Sequence, residues 1–523
     1  MRRRQLLAAG MLLAAPRVVR AEASRTLSYV PGGGLTVLDP MWTTARVTRV
    51  HAGMVFDTLY GLDATMTPRP QMAEGHTVEQ DGKVWTIRLR PGLKFHDGTA
   101  VLAGDAAASI RRFGVRDSIG QALLAVTDEL SAPDDRTLRF RLAKPFPHLP
   151  MALAGSSFML PAIMPERLAS TDPYRQVSEI VGSGPYRFVT AEFNAGERAT
   201  YERFADYVPR AGEPVNYMAG GKVVHFDRVE WRTLGDFATA VAALAKGEVD
   251  WLDFVPTDLI PVLLHNPHVT VEVTEPTGSI PIMRFNHLFP PFDKAAVRRA
   301  LLGAIDQSQI MRALAGTDAS AWRDRVGLFS PGSLLANEAG IEVLSSARDY
   351  DRVRHDLAVA GYSGERIVVL TVASANFTAV SEVALDQLRK AGLNIDAQVM
   401  DFTTLLRRRA NKAPPSKGGW NIFFTFTDGL FSDNPATNIA IRGDGKSGLD
   451  GWPTSSRLEE LRAAWLKTGD MVAQKRITRE MQQQLWQDVP YVPLGFWIRP
   501  TAHRRNIINL PWGYAAFYGV QRA

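Results

Sequence analysis

The residues best placed to do chemistry lie between positions 420 and 435. Trp420, Phe423, Phe424, Phe426 and Phe431 crowd this stretch, with Asp428 and Asp433 set among them. Aromatic walls with a few placed charges are how a concave small-molecule site is made. The same aromatics can also fill a strand core, so both uses are open here. Catalytic patterns fare worse. His96-Asp97 sits in a turn with no nucleophile beside it and reads as a brace for that turn. Gly445-Lys446-Ser447 lacks the leading glycine of a phosphate loop, because Ala440 stands there. Gly32-Gly33-Gly34 follows a strand without the spaced third glycine of a dinucleotide site, and reads as a turn or a close backbone approach to a ligand. No Gly-x-Ser-x-Gly elbow and no His-Glu-x-x-His helix occurs, and the ten histidines show no ligand spacing. The chain therefore reads as a non-enzyme, with no cofactor and no metal.

Periodicity supplies the elements that must hold such a site. Leu27 to Val30 is a strand. Trp85, Ile87 and Leu89 alternate with polar residues, and so do Leu138, Phe140 and Leu142, as half-buried strands do. Asp81-Gly82 reads as a two-residue hairpin turn, and Thr99 opens a small-residue helix through Ser109. Val223 to Trp231 reads as a strand, followed by a helix from Asp236 to Lys246 capped by Gly247. Beyond position 280 the style changes. Val297, Leu301, Ala304 and Ile305 mark an amphipathic helix. Strand 367–373, a helix ending at Gly392 and strand 395–399 make a βαβ unit, which requires a parallel pair.

Composition bounds the setting. Arg2-Arg3-Arg4, the apolar run Leu6 to Ala15 and the small residues around Ala21 form a cleavable export signal, with either a Sec or a twin-arginine route open. Removing residues 1–21 takes away five arginines and no acid, so the formal charge falls from +6 to +1. Nucleic-acid binding thereby loses its main support. Cysteine is absent, which rules out disulfides, thiol chemistry and a cysteine-linked lipid anchor. A periplasmic protein of about three domains fits this length.

The stretch from Leu89 through Ser109 carries Arg90, Gly92, Lys94, Phe95, His96, Asp97, Gly98, Ala103 and Asp105 in one register. It resembles the signature of the family 5 extracytoplasmic solute-binding proteins, the dipeptide- and oligopeptide-binding proteins of ABC importers. Ala100 and Ala106 depart from that signature. Further resemblances follow in the family's order: Gly182-Ser-Gly-Pro-Tyr186, then Phe285-Asn286 with Pro290-Pro291-Phe292, then Val297 through Asp306, then the Trp420-to-Pro453 region.

The resemblance implies an α/β, two-lobed periplasmic binding protein fold (type II, the large cluster C form) with an extra inserted subdomain. Residues 22–66, 181–281 and 488–523 would form lobe I, 67–180 the insertion and 282–487 lobe II. The hinge would cross near 281 and 488. It implies a periplasmic component that closes on a small solute or peptide and delivers it to an inner-membrane ABC permease, acting as a monomer. Trp420, Asp428 and Phe431, with Asn286 and Trp497 near the crossings, are the residues expected to line or border the ligand. Peptide binders of the family place an Asp for the ligand ammonium just before an Asn-Pro or Asp-Pro step. Here that position falls on or near Phe431, and Asp428 could substitute. A non-peptide solute such as an opine, an oligosaccharide or a metal chelate therefore stays open, and a secreted hydrolase is the competing class.

Overall fold

The computed structural model describes residues 25–445, 448–514 and 516–523. The expected export signal at 1–21, and Lys446 and Ser447 of the rejected phosphate loop, lie outside them. Two seven-stranded sheets organise the chain. The first orders its strands Val269–Glu272, Thr501–Arg504, Trp251–Leu252, Thr26–Val30, Arg228–Arg232, Arg198–Arg203 and Tyr186–Phe188. Its centre is parallel, since Thr26–Val30 runs with both Arg228–Arg232 and Trp251–Leu252. The second sheet contains Ser279–Phe285, Ile422–Asp428, Arg366–Val372 and Asn394–Met400, with short strands Trp322–Arg323, Tyr491–Pro493 and Phe496–Trp497 at one side. A four-stranded antiparallel sheet over residues 73–142 lies within the inserted stretch.

The βαβ unit forms as its periodicity requires. Strands Arg366–Val372 and Asn394–Met400 pair in parallel across the helix Ala375–Lys390. Helix Phe237–Lys246 starts on the Asp236 side chain and stops at Gly247, which takes φ 79°. Three readings shift. The hairpin turn spans four residues, because Glu79 pairs with Val84. The small-residue helix is Ala103–Arg116, begun where Asp105 accepts from the Leu102 N–H. The strand read from Val223 starts only at Arg228, since Val223 turns out to solvent while Val224 and Phe226 enter the core.

The crossings also lie elsewhere than expected. Ser279 already pairs with Asp428 in the second sheet, so the first connection is 273–278. The return expected near 488 falls at 498–500, because Tyr491–Pro493 and Phe496–Trp497 bond to Ser279–Phe285. The two connections run side by side, with Glu272 opposite Thr501 on the first sheet.

The Leu89-to-Ser109 stretch is a brace. The His96 Nε2 lies 3.0 Å from the Gly184 carbonyl, and its Nδ1 accepts from the Gly182 N–H. The Gly182 loop passes so close to the helix Arg46–Val55 that a Cβ on Gly182 would sit 1.9 Å from the Val55 carbonyl oxygen. Two of the recognisable motifs therefore hold each other. Burial pushes His96 down to about 4, whereas in the unfolded chain it titrates near 6.5. Between those values the unfolded chain holds the extra proton, so stability falls as pH drops through that window. His96→Asn is expected to flatten part of that acid-side loss, measured by chemical denaturation from pH 4 to 7. An unchanged pH slope would mean His96 is not buried neutral.

Candidate functional site

Six segments meet between the two sheets. Helix Arg46–Val55 contributes Arg46 from its first turn. Asp253 follows the Trp251–Leu252 strand, at the carboxyl end of the parallel strands, where α/β sheets form their crevices. Glu275 lies in the first connection and Arg499 in the second. Asp428 ends the Ile422–Asp428 strand of the second sheet, and Tyr514 comes from the C-terminal segment. Gly32 permits the approach on the Asp253 side, because a Cβ there would lie 2.9 Å from the Asp253 carboxylate and from the Phe254 ring.

The charges interlock. Arg46 Nη1 donates to Glu275 at 2.8 Å, Nη2 lies 3.4 Å from Asp253, and Nη1 lies 3.8 Å from Asp428. Its guanidinium carbon sits 4.0 Å over the Tyr514 ring. Arg499 donates to Asp428 at 2.6 Å, and the Tyr514 hydroxyl donates to the other Asp428 oxygen at 2.5 Å. Burial alone would raise the Asp428 carboxyl, but Arg499 and then Arg46 outweigh it and hold it below the usual range. Burial, and then Asp428, push Tyr514 well up, so its phenol stays a donor. Two guanidiniums thus face three carboxylates, leaving one negative charge in excess. A cavity of about 10 Å³, room for one water molecule, is lined by Arg46, Asp253, Phe254, Glu275 and Arg499 among others.

The lobes touch around this cluster. Phe431 packs on Phe158 of the inserted stretch with ring centroids 4.1 Å apart, and on Tyr514 at 6.0 Å. Ser118 donates to the Ala436 carbonyl at 2.6 Å, and the His148 ring stacks on Trp465 at 4.4 Å. The carboxylate of Asp428 is mostly buried in this seam, beside the adjacent connections 273–278 and 498–500.

Of the residues expected to line a ligand, Asp428 and Phe431 lie in this seam. Trp497 borders it, edge-on to Phe254 and Phe426, with its buried indole N–H unpartnered. Trp420 and Asn286 do not belong. Trp420 is fully buried among Val368, Leu370, Leu405 and Trp452, and its indole donates to the Arg409 carbonyl. Asn286 is likewise buried and donates to the Trp420 carbonyl. Register explains the correction. Ser279 pairs with Asp428 at one end of the ladder and Phe285 with Ile422 at the other, so these two lie roughly 20 Å from Asp428. Arg46, Asp253, Glu275, Arg499 and Tyr514 carry no local spacing signal that sequence reading could have used. Among the described residues, no three His, Asp or Glu side chains group so as to hold a metal ion.

Comparison with known proteins supplies the context. Residues 67–446 match the bacterial extracellular solute-binding proteins, family 5, middle region. A probable peptide ABC transporter periplasmic-binding protein of Sinorhizobium fredii is 36% identical over 525 residues, covering 99% of this chain and 98% of that protein. Two solved structures share the fold. One is a dipeptide binding protein from Pseudoalteromonas sp. SM9913 in complex with Met-Leu, with TM-score 0.78 and 19% identity over 95% of this chain and 100% of the other. The other is a periplasmic binding protein from A. tumefaciens R10 in complex with agropinic acid, with TM-score 0.78 and 21% identity over 95% and 99%.

Proposed function

The chain belongs to the family 5 bacterial extracellular solute-binding proteins, and from that premise we propose that its solute is a short peptide held by its free ammonium group. The protein is the periplasmic solute-binding component of an ABC importer, and its partner is the importer's membrane permease. The observation that carries the peptide reading is the excess carboxylate between the lobes, where among the described residues Asp428, Glu275 and Asp253 form ion pairs only with Arg46 and Arg499. An ammonium entering there restores neutrality in a buried site, where an unbalanced charge is costly.

Asp428 keeps an unprotonated carboxylate ready for a charge-assisted hydrogen bond. Phe431, Phe158 and Tyr514 form the apolar wall beside it. The ligand contacts both lobes only when they close, so binding shifts the population toward the closed form that the permease reads. The cycle has no covalent step. The protein works as an exported monomer without a cofactor. The relative from Sinorhizobium fredii, named for peptide transport, supports the same reading.

Titrating a dipeptide and its N-acetylated form by calorimetry tests this. N-acetylation is expected to weaken binding at least tenfold, because it removes the charge that the cluster needs. Equal affinity for the two would reject an ammonium subsite and leave a neutral or anionic solute held by aromatic walls.

A further inference from the structure

One turn along the same helix from Arg46 lies a buried cation that forms no ion pair with a carboxylate. Among the described residues, six arginines are buried: Arg49, Arg112, Arg284, Arg298, Arg442 and Arg462. Arg112, Arg442 and Arg462 each have an acidic partner. Arg284 and Arg298 each donate to three backbone carbonyls. Arg49 has neither arrangement. Its Nη2 donates to the Gly155 carbonyl and lies 3.8 Å from the Met218 sulfur, a weak acceptor, while Nη1 is buried with no partner. A buried guanidinium left this way is costly, and a bidentate carboxylate is the group that matches it. Burial correspondingly lowers the Arg49 pKa, with Tyr217, Tyr514 and Asp117 acting against it.

We propose that Arg49 anchors a carboxylate of the ligand, so that the site takes a zwitterion with its ammonium at Asp428 and its carboxylate on the Arg49 guanidinium. This rests on the peptide reading above and adds the second end of the molecule. Positions 46 and 49 share one helix face, with Cβ atoms about 5–6 Å apart, and Arg46 already reaches to within 3.8 Å of Asp428. Arg49 also interacts electrostatically with Tyr514, the residue whose hydroxyl bonds Asp428, and a ligand of two extended residues is about 7 Å long. Met218, unbranched and adaptable, is the neighbour that a carboxylate would displace.

The test uses three probes on the full mature chain: a dipeptide, its C-terminal amide and its N-acetyl derivative. In the wild type, amidation is expected to weaken binding by about tenfold to a hundredfold. In Arg49→Gln the acid should lose about that factor and the amide little, so that the two converge. Arg49→Lys, which keeps the cation without the two-pronged donor, should retain part of the preference. Without peptide, Arg49→Gln should melt no lower than wild type, because it removes an unpaired buried cation; a purely structural arginine would give a lower Tm. An amide that binds wild type as tightly as the acid overturns the anchor while leaving the ammonium reading intact. Wild type that binds none of the three rejects the peptide reading, and this inference with it.

Discussion

Asp428→Asn is expected to weaken dipeptide binding by about ten- to a hundredfold, equivalent to about 1.5–3 kcal/mol for a lost charge-assisted hydrogen bond. The substitution keeps the shape and one carbonyl acceptor for Arg499 or the Tyr514 hydroxyl, but removes the excess charge that an ammonium would balance. It also leaves Arg46 and Arg499 facing only Glu275 and Asp253, an even balance. Calorimetry with the free dipeptide measures the loss. The N-acetyl form, already weak in the wild type, should lose little more. A variant that binds as tightly as wild type would place the ammonium away from Asp428.

Arg46→Met is expected to open the lobes. Its guanidinium bonds Glu275, approaches Asp253 and Asp428, and lies on the Tyr514 ring. Glu275 and Asp253 would lose their principal cation, since Arg499 reaches Glu275 only at 3.9 Å. Breaking a buried ion pair from one side costs about 3–5 kcal/mol when the other charge cannot escape. Here it can, because the seam lies between two lobes joined by 273–278 and 498–500, and parting them readmits water. The expected result is a larger radius of gyration in small-angle scattering of the protein without peptide, with little change in helix content. Unchanged scattering would mean that the apolar and backbone contacts of Phe431, Ser118 and Trp465 hold the lobes together without the ion cluster.

What the sequence made legible follows from range. The βαβ unit over 366–400 was readable because its periodicities are local and its strands long. The return crossing was not, since Tyr491–Pro493 and Phe496–Trp497 are too short to show a period and their partner lies some 200 positions earlier. Asp428 was readable as a carboxylate among aromatics, and Phe431 as its neighbour. Trp420 and Asn286 lie away from this seam, which alternation along a strand could not tell; the pairing of Ser279 with Asp428 puts them near the other end of the ladder. The counter-charges Arg46, Asp253, Glu275 and Arg499 come from separate segments, and only the folded chain brings them together. Arg49 could not be singled out either, because what distinguishes it is a partner that it lacks.

Native mass spectrometry of the protein purified from its own host tests the central claim most directly. The expected result is a one-to-one adduct whose mass and fragments are those of a short peptide with a free amine, lost or strongly depleted when the Asp428→Asn variant is purified in the same way. An adduct without an amine, or one retained undiminished by Asp428→Asn, would contradict the assignment of this seam as an ammonium-binding peptide site.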